Sequence, residues 1–220
     1  MSDLFNEIDE EVRRDKVLDF WMRHRNGLIV LAVLIVLGTA GYTSWQKHVR
    51  SKAEATAARF EAAIEDSRAG RNADAEASLR SLAADAPDGY KVLTRLRLAS
   101  EEGKLDAAKG IVAFDALALD PSVPDVLRDL ARYRAAVLAS DTLDQAALSK
   151  RLEPLTAKIG PWTGLAQELI GLAALKAGDF DGAGRMFDAI AIDRTAPTSL
   201  KQRVDIYLGL IRGGPVKTSP

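Results

Sequence analysis

Side chains suited to acid-base, nucleophilic or metal chemistry are scarce in this sequence. There are no cysteines, and the two histidines, His24 and His48, stand on either side of one apolar run. From Val49 onward no imidazole or thiolate is available as a proton shuttle, nucleophile or soft metal ligand. The sequence therefore predicts no enzyme activity, no cofactor, no metal site and no small-molecule substrate. A hydrolase that works without histidine or cysteine is the alternative in this class.

One acidic segment resembles part of a calcium loop. Asp179-Phe180-Asp181-Gly182 places two acids two residues apart and then a glycine. If Gly182 were the sixth position of the loop, Ala177 would be the first ligand and Asp188 would replace the bidentate glutamate at the twelfth. Both substitutions remove essential ligands. The segment therefore predicts a helix turn capped by acids.

Four arginines are candidates for binding a protein partner, because guanidinium groups form bidentate hydrogen bonds with carboxylates. Two of them have an alternative role. Asp125 and Asp129 lie three residues before two of these arginines, a spacing that predicts local ion pairs on one helix face. The candidate partner-binding residues are Arg95, Arg97, Arg128 and Arg132.

The overall charge argues against a nucleic-acid partner. Thirty basic and 31 acidic side chains give a formal net charge of -1, so no excess of positive charge attracts phosphate groups. A composition of 47% hydrophobic and 28% charged residues is that of an ordinary folded chain.

One stretch is long and apolar enough to cross a membrane. No charged residue occurs in the 21 positions between Arg25 and Lys47. A helix of that length spans about 30 Å, the thickness of the hydrocarbon layer. We therefore predict a single transmembrane anchor at residues 27–45. Aromatic and basic residues are enriched at membrane interfaces, and here they are Trp21, Arg23, Arg25, Tyr42, Trp45 and Lys47.

A buried core helix and a cleaved signal peptide are the alternatives for this stretch. A core helix seldom contains an unbroken apolar run such as Leu28 to Gly38. Small residues at Gly38, Ala40 and Gly41 would suit cleavage, but residues 1–26 are long for a signal peptide and include seven acids. We predict that residues 1–26 form a short cytoplasmic amphipathic tail.

Orientation follows from the basic residues beside the anchor. Five lysines and arginines precede it closely and four follow it closely, which favours a cytoplasmic amino terminus and an exported body.

The spacing of prolines and alanines predicts that residues 46–212 form an all-α body made of repeated helical hairpins. Pro87, Pro121, Pro161 and Pro197 follow one another at separations of 34, 40 and 36 residues. Ala75, Ala108, Ala146 and Ala183 keep nearly the same period, and small residues there would let paired helices approach closely. Residues 213–220 are predicted to be a disordered tail.

The turns within the hairpins are alike. Segments 102–106 and 177–181 both contain glycine followed by an acid, which predicts that Gly103 and Gly178 end one helix and that the acid begins the next. Segments 140–144 and 69–72 take the corresponding places in the other hairpins.

The segment Ala177-Gly178-Asp179-Phe180-Asp181-Gly182-Ala183, followed by Phe187 and Pro197, resembles the tetratricopeptide repeat. The other units depart from that pattern, with Leu105 in place of the aromatic residue, Val112 in place of phenylalanine, and Lys150 where an apolar residue is expected. The resemblance implies a solenoid of stacked hairpins.

The arrangement of the whole chain resembles a bacterial inner-membrane family typified by the ancillary subunit of the Sec translocon. A short acidic tail, one anchor and about four degenerate repeats are its common features. The resemblance implies a scaffold with periplasmic repeats that links protein export to periplasmic chaperones, with the Sec translocon and those chaperones as partners. The alternative is an envelope assembly or cell-division scaffold on the same fold.

Overall fold

The computed structural model describes residues 3–213, in which every regular element is an α-helix. Side chains are not described for residues 3–21, 23, 24, 28 and 88. The elements are α1 (Asp3–Arg68), α2 (Asn72–Asp85), α3 (Asp88–Leu105), α4 (Ala107–Leu119), α5 (Asp125–Ala139), α6 (Gln145–Thr156), α7 (Thr163–Lys176), α8 (Phe180–Ile192) and α9 (Thr198–Gly213). The predicted all-α repeat fold, with an apolar amino-terminal helix, is confirmed.

The chain divides into two compact units, one up to Ala55 and one from Thr56 onward. In the first unit, every side chain described from Ile29 to Arg50 is exposed. The predicted amphipathic face of residues 1–26 lies outside the described side chains, and the predicted disordered tail lies outside the described residues from position 214 onward.

The second unit is a succession of helical hairpins in which each helix packs on its neighbours in sequence. Contacts join α2 to α3, α3 to α4, and so on to α8 and α9, with a smaller contact between α7 and α9. Among the described residues, buried side chains form clusters centred on α3–α5, α5–α7 and α7–α9. Such a nearest-neighbour arrangement is typical of repeat proteins, because one hairpin cannot bury its own apolar face.

The second helix of each hairpin buries the same three positions. Counted from the residue that precedes α2, α4, α6 and α8, these are the fourth, eighth and eleventh residues. This spacing lines one helix face. The twelve buried residues are Ala75, Leu79 and Leu82; Gly110, Phe114 and Leu117; Leu148, Leu152 and Leu155; and Ala183, Phe187 and Ile190.

This pattern corrects the repeat register expected from the sequence. Gly103 does not end α3, which continues to Leu105. The acid of segment 102–106 does begin the next helix, as predicted, because Asp106 caps α4. The predicted packing alanines Ala108 and Ala146 are therefore exposed, each two residues before the buried position.

The same shift explains the departures from the repeat pattern. The sequence aligns Val112 with Phe187, but Val112 is 69% exposed and Phe114 is the buried residue at that position of the repeat. In α6 the buried residue at the same position is Leu152, two residues after the exposed Lys150. When the positions are counted from the observed helix starts, each of these helices has an apolar residue or glycine at all three buried positions.

Glycine has a conformational role in two turns and a packing role in two helices. Gly70 and Gly178 have φ of 79°, the left-handed conformation that ends a helix. Gly171 faces the ring of Phe187, so that a Cβ there would lie 2.8 Å from Cζ. Gly110 packs directly on the backbone of Gly103, which brings α4 against α3.

We expect Gly110→Ala to destabilise the repeat unit by about 1–3 kcal/mol, because the added Cβ would overlap Gly103 backbone atoms, which cannot move as a side chain does. Gly184→Ala is the matched control, since nothing lies within 4 Å of its added Cβ and alanine favours an α8 interior position. Thermal unfolding followed by circular dichroism should show a lower midpoint for the first variant and an equal or higher midpoint for the second. Equal midpoints for Gly110→Ala and the unchanged protein would contradict the close packing of α3 and α4.

Candidate functional site

The apolar part of α1 is one candidate surface. The section from Arg25 to Arg68 contains an 18-residue window with a mean hydropathy of 2.0, and none of that window is buried. By length and composition it can cross a membrane, and a signal sequence near the amino terminus meets the same criteria.

The described interface residues Arg25, Tyr42, Trp45 and Lys47 are exposed, and the rings of Tyr42 and Trp45 lie 6.2 Å apart. The side chains of Trp21 and Arg23 lie outside the described ones. Their place at a membrane interface stays a prediction.

A cleft of about 620 Å³ in the second unit is a further candidate surface. Its walls are the connection before α7 with the first turn of α7, and the connection before α9 with the first turns of α9. Ile159 stands at this cleft with 94% of its surface exposed, whereas Leu200 is nearly fully buried. The other lining residues are Gly160, Pro161, Gly164, Leu165, Asp193, Thr195, Ala196, Pro197, Ser199 and Arg203.

An ion pair joins the two helices that form this cleft. Arg203 of α9 donates from Nε to Glu168 Oε1 at 2.7 Å and from Nη2 to Oε2 at 2.8 Å. The hydrogen bonds to Glu168 raise the pKa of Arg203 further. Because Glu168 is buried and satisfied by both bonds, this pair fixes the spacing of α7 and α9.

Aromatic contacts tie the neighbouring repeat to the same helix. The rings of Tyr133 on α5 and Trp162 before α7 are stacked with centroids 6.0 Å apart. Trp162 Nε1 donates to the carbonyl oxygen of Val126 at 3.1 Å. Burial of Tyr133 raises the pKa of its phenol. These contacts orient α7 against α5.

Two carboxylates, one at the cleft and one at the turn before α8, accept hydrogen bonds from nearby backbone N–H groups and side chains. Asp193 accepts hydrogen bonds from the Thr195 backbone N–H and hydroxyl, which lower its pKa. Asp179 accepts from Gln145 Nε2 and from the Gly182 N–H, and these bonds likewise lower its pKa.

The acidic segment at 179–182 thus forms the capped start of α8, as predicted. In the part of the chain that the structure describes, no group of three or more histidine, cysteine, aspartate or glutamate side chains is arranged to hold a metal ion.

Two of the candidate arginines belong to α3 and contact acids of this chain. Arg95 Nη1 lies 2.6 Å from Asp120 Oδ2. Arg97 Nη2 lies 2.8 Å from Glu101 Oε1 and donates to Ser67 Oγ at 2.8 Å. Glu101 is fully buried and accepts further bonds from Ser67 Oγ and Lys104 Nζ. This network attaches the last turn of α1 to α3.

The other two arginines belong to α5 and form the local pairs that their spacing predicts. Arg128 lies 2.5 Å from Asp125, and Arg132 lies 2.6 Å from Asp129. Burial opposes ionisation of Asp129, but hydrogen bonds from Lys158 and Arg132 outweigh it and lower the pKa. Arg132 also donates to the carbonyl oxygen of Ala118 at 3.0 Å. Partner binding by the four arginines stays a prediction, and each already has an acidic neighbour.

Sequence reasoning missed the residues that build the cleft. Glu168 and Arg203 are 35 residues apart, and Ser67 with Glu101 and Val126 with Trp162 have nearly the same separation. An acid and a base separated by one repeat length would have been a usable signal for the ion pair. No pattern in the sequence distinguishes the exposed Ile159 from a core isoleucine.

The hydrogen bonds that Asp120 accepts predict a pH dependence of the stability of the fold. Hydrogen bonds from Ser122 and then from Arg95 lower the pKa of Asp120 from 3.8 to about 2. Because the folded pKa is the lower one, the stabilisation is complete above the unfolded value and is lost as pH falls from about 4 towards 2.

Asp120→Asn should lower the thermal midpoint at pH 6, and its difference from the unchanged protein should shrink as pH falls through this window. Asp141→Asn, at an exposed site, should show no such trend. If the difference in thermal midpoint between Asp120→Asn and the unchanged protein were constant from pH 6 to pH 2.5, the lowered pKa of Asp120 would be contradicted.

Comparison with known proteins agrees with this architecture. The family profile described as a tetratricopeptide repeat-like domain matches residues 18–210. Comparison with curated proteins and with solved structures gave no match. Since the matched range covers most of the chain, including all of α2 to α8, the protein belongs to the tetratricopeptide repeat-like domain family.

Proposed function

We propose that this protein is a membrane-anchored scaffold for protein-protein interactions. The observation that carries the proposal is the exposed apolar section of α1, with a mean hydropathy of 2.0, in the same chain as a body of stacked helical hairpins. The first feature favours attachment to a bilayer, and the second presents an extended surface of the kind that repeat proteins use to bind other proteins.

The contacts of the body support a scaffold over an enzyme. The acids beside the cleft, Asp193 and Glu168, are engaged by a backbone turn and by an arginine. Catalysis by carboxylates instead needs a pair of groups with contrasting pKa values in one pocket. The cleft places an exposed isoleucine beside prolines and an alanine, and exposed apolar surface of this kind occurs at protein interaction sites.

Anchoring would strengthen modest contacts. Confinement beside the membrane raises the effective concentration of partners there, so weak binding on the repeat surface would suffice. We further propose that the amino terminus is cytoplasmic and that the repeats are periplasmic, beside the inner membrane. The partners proposed on the resemblance are the Sec translocon and periplasmic chaperones.

The second candidate is an envelope assembly or cell-division scaffold on the same fold. Deletion of the gene distinguishes the two. Accumulation of unexported precursors with normal division would support the export role, whereas normal export with defective division or outer-membrane assembly would contradict it.

The absence of cysteine permits a direct test of topology. We expect Ser78→Cys, at an exposed position of α2, to react with a membrane-impermeant maleimide in intact spheroplasts. Asn6→Cys should react only after the membrane is lysed, because that residue would lie in the cytoplasm. The reverse result would place the repeats in the cytoplasm and exclude periplasmic partners.

Partner binding at the cleft is tested by a photoreactive amino acid at Ile159, with the same amino acid at Asp141 as the control. Both positions are exposed, so the two variants differ in location rather than in accessibility. Adducts with a protein of the export channel or with a chaperone at Ile159 alone would support the proposal. Equal adducts at both positions would contradict a specific site at the cleft.

A further inference from the structure

The outer face of α9 carries apolar residues that no other described helix covers. The inner face buries Leu200, Val204 and Leu208 against the α7–α9 core cluster. On the opposite side Ile206 is 65% exposed and Leu210 is 58% exposed, one helical turn apart. An adjacent pair of exposed apolar side chains on the last described helix offers a surface on which another polypeptide can pack.

Two glycines make this face suitable for close packing of another helix. Gly209 and Gly213 are both exposed, and nothing lies within 4 Å of the Cβ that either would carry as alanine. They share the side of the helix on which Ile206 and Leu210 lie. Helices approach most closely where one presents such small residues beside larger apolar ones.

The charges beside this face would complement the same charges in a second copy of the chain. Asp205 and Arg212 are exposed and seven residues apart, so they project from the same flank of α9. Neither forms an ion pair with another residue in the described part of the chain. Two turns separate them along the helix, so that within one chain they stay apart.

We propose that the outer face of α9 pairs with the same face of a second copy, with the two helices antiparallel. A two-fold axis at the level of Leu208 would place Ile206 of each copy opposite Leu210 of the other. The same operation keeps each flank on its own side, so Asp205 of one copy would lie within about 2 Å, along the helix axis, of the level of Arg212 in the other. The two ion pairs and the two apolar contacts then form together.

The interface would be small. One helix face buries less than the roughly 800 Å² per partner of a standard stable complex, so the dimer would be weak in dilute detergent. In a membrane it would be favoured by the confinement that rests on the proposed anchor. The pairing itself does not require the anchor, and concentrated full-length protein in detergent would also show it.

Disulfide crosslinking of the full chain tests the proposal. The sequence contains no cysteine, so any disulfide must involve the introduced residue. In the antiparallel pair the two copies of residue 209 would be offset by about 3 Å along the axes, within reach of a disulfide. Gly209→Cys should therefore give a covalent dimer under mild oxidation in membranes and in concentrated detergent solution. Ser78→Cys, exposed on α2, is the control for random collision and should give little dimer.

Charge reversal in the Gly209→Cys background tests the register. Asp205→Arg alone and Arg212→Asp alone should each reduce the dimer fraction about fivefold, since each change replaces both attractive pairs with repulsive ones. The two together should restore the dimer, although they are unfavourable for the dipole of α9. Circular dichroism should show unchanged helix content in all three variants.

Three outcomes would overturn the proposal. They are equal crosslinking of Gly209→Cys and Ser78→Cys, a double reversal that dimerises as poorly as the single ones, and a disulfide adduct of Gly209→Cys with another protein only. Failure of the proposed anchor alone would be seen differently, as loss of crosslinking in the membrane fraction with normal crosslinking of the concentrated protein in solution.

Discussion

The constraint on which the second unit depends is that a single hairpin cannot bury its own apolar face. Each second helix buries the fourth, eighth and eleventh residues counted from the residue that precedes it, and the neighbouring helices supply the other side of that contact. Small residues set how near those helices come, as at Gly110 on Gly103 and at Gly171 beneath Phe187. Stability therefore builds up between neighbours, and an extended surface is a consequence of the core.

The fold class and the repeat period could be predicted from the sequence, because the spacing of apolar residues and of prolines is a local property. The register of the buried positions within each repeat could not be predicted. Glycine commonly stops helices, so the sequence predicts a helix end at Gly103. In the structure the missing side chain of Gly103 instead permits close packing of α3 on Gly110 of α4. Where a glycine acts depends on what packs against it, which is a tertiary property. Because α3 ends two residues later than the glycine predicts, the counterpart of Phe187 in α4 is the buried Phe114 and not the exposed Val112.

The candidate site was less predictable than the fold. Arginine side chains are candidates for binding an acidic partner only where no acid of the same chain contacts them. All four candidates contact such an acid, namely Arg95, Arg97, Arg128 and Arg132. For Arg128 and Arg132 the acid lies three residues earlier on the same helix. The cleft instead depends on Arg203 and Glu168, one repeat apart, and on the exposure of Ile159. Exposure of an apolar side chain is decided by the path of the connection before α7, which no local pattern specifies.

We propose that the apolar section of α1 permanently holds the repeats at a membrane, and alkaline carbonate extraction of cell membranes tests this anchoring most directly. A helix that spans the bilayer stays in the membrane pellet through this treatment and is released only by detergent. We expect the chain to remain in the pellet with the residues before Gly38 still attached. Recovery of the chain in the carbonate supernatant, with an amino terminus beyond Ala40, would contradict it.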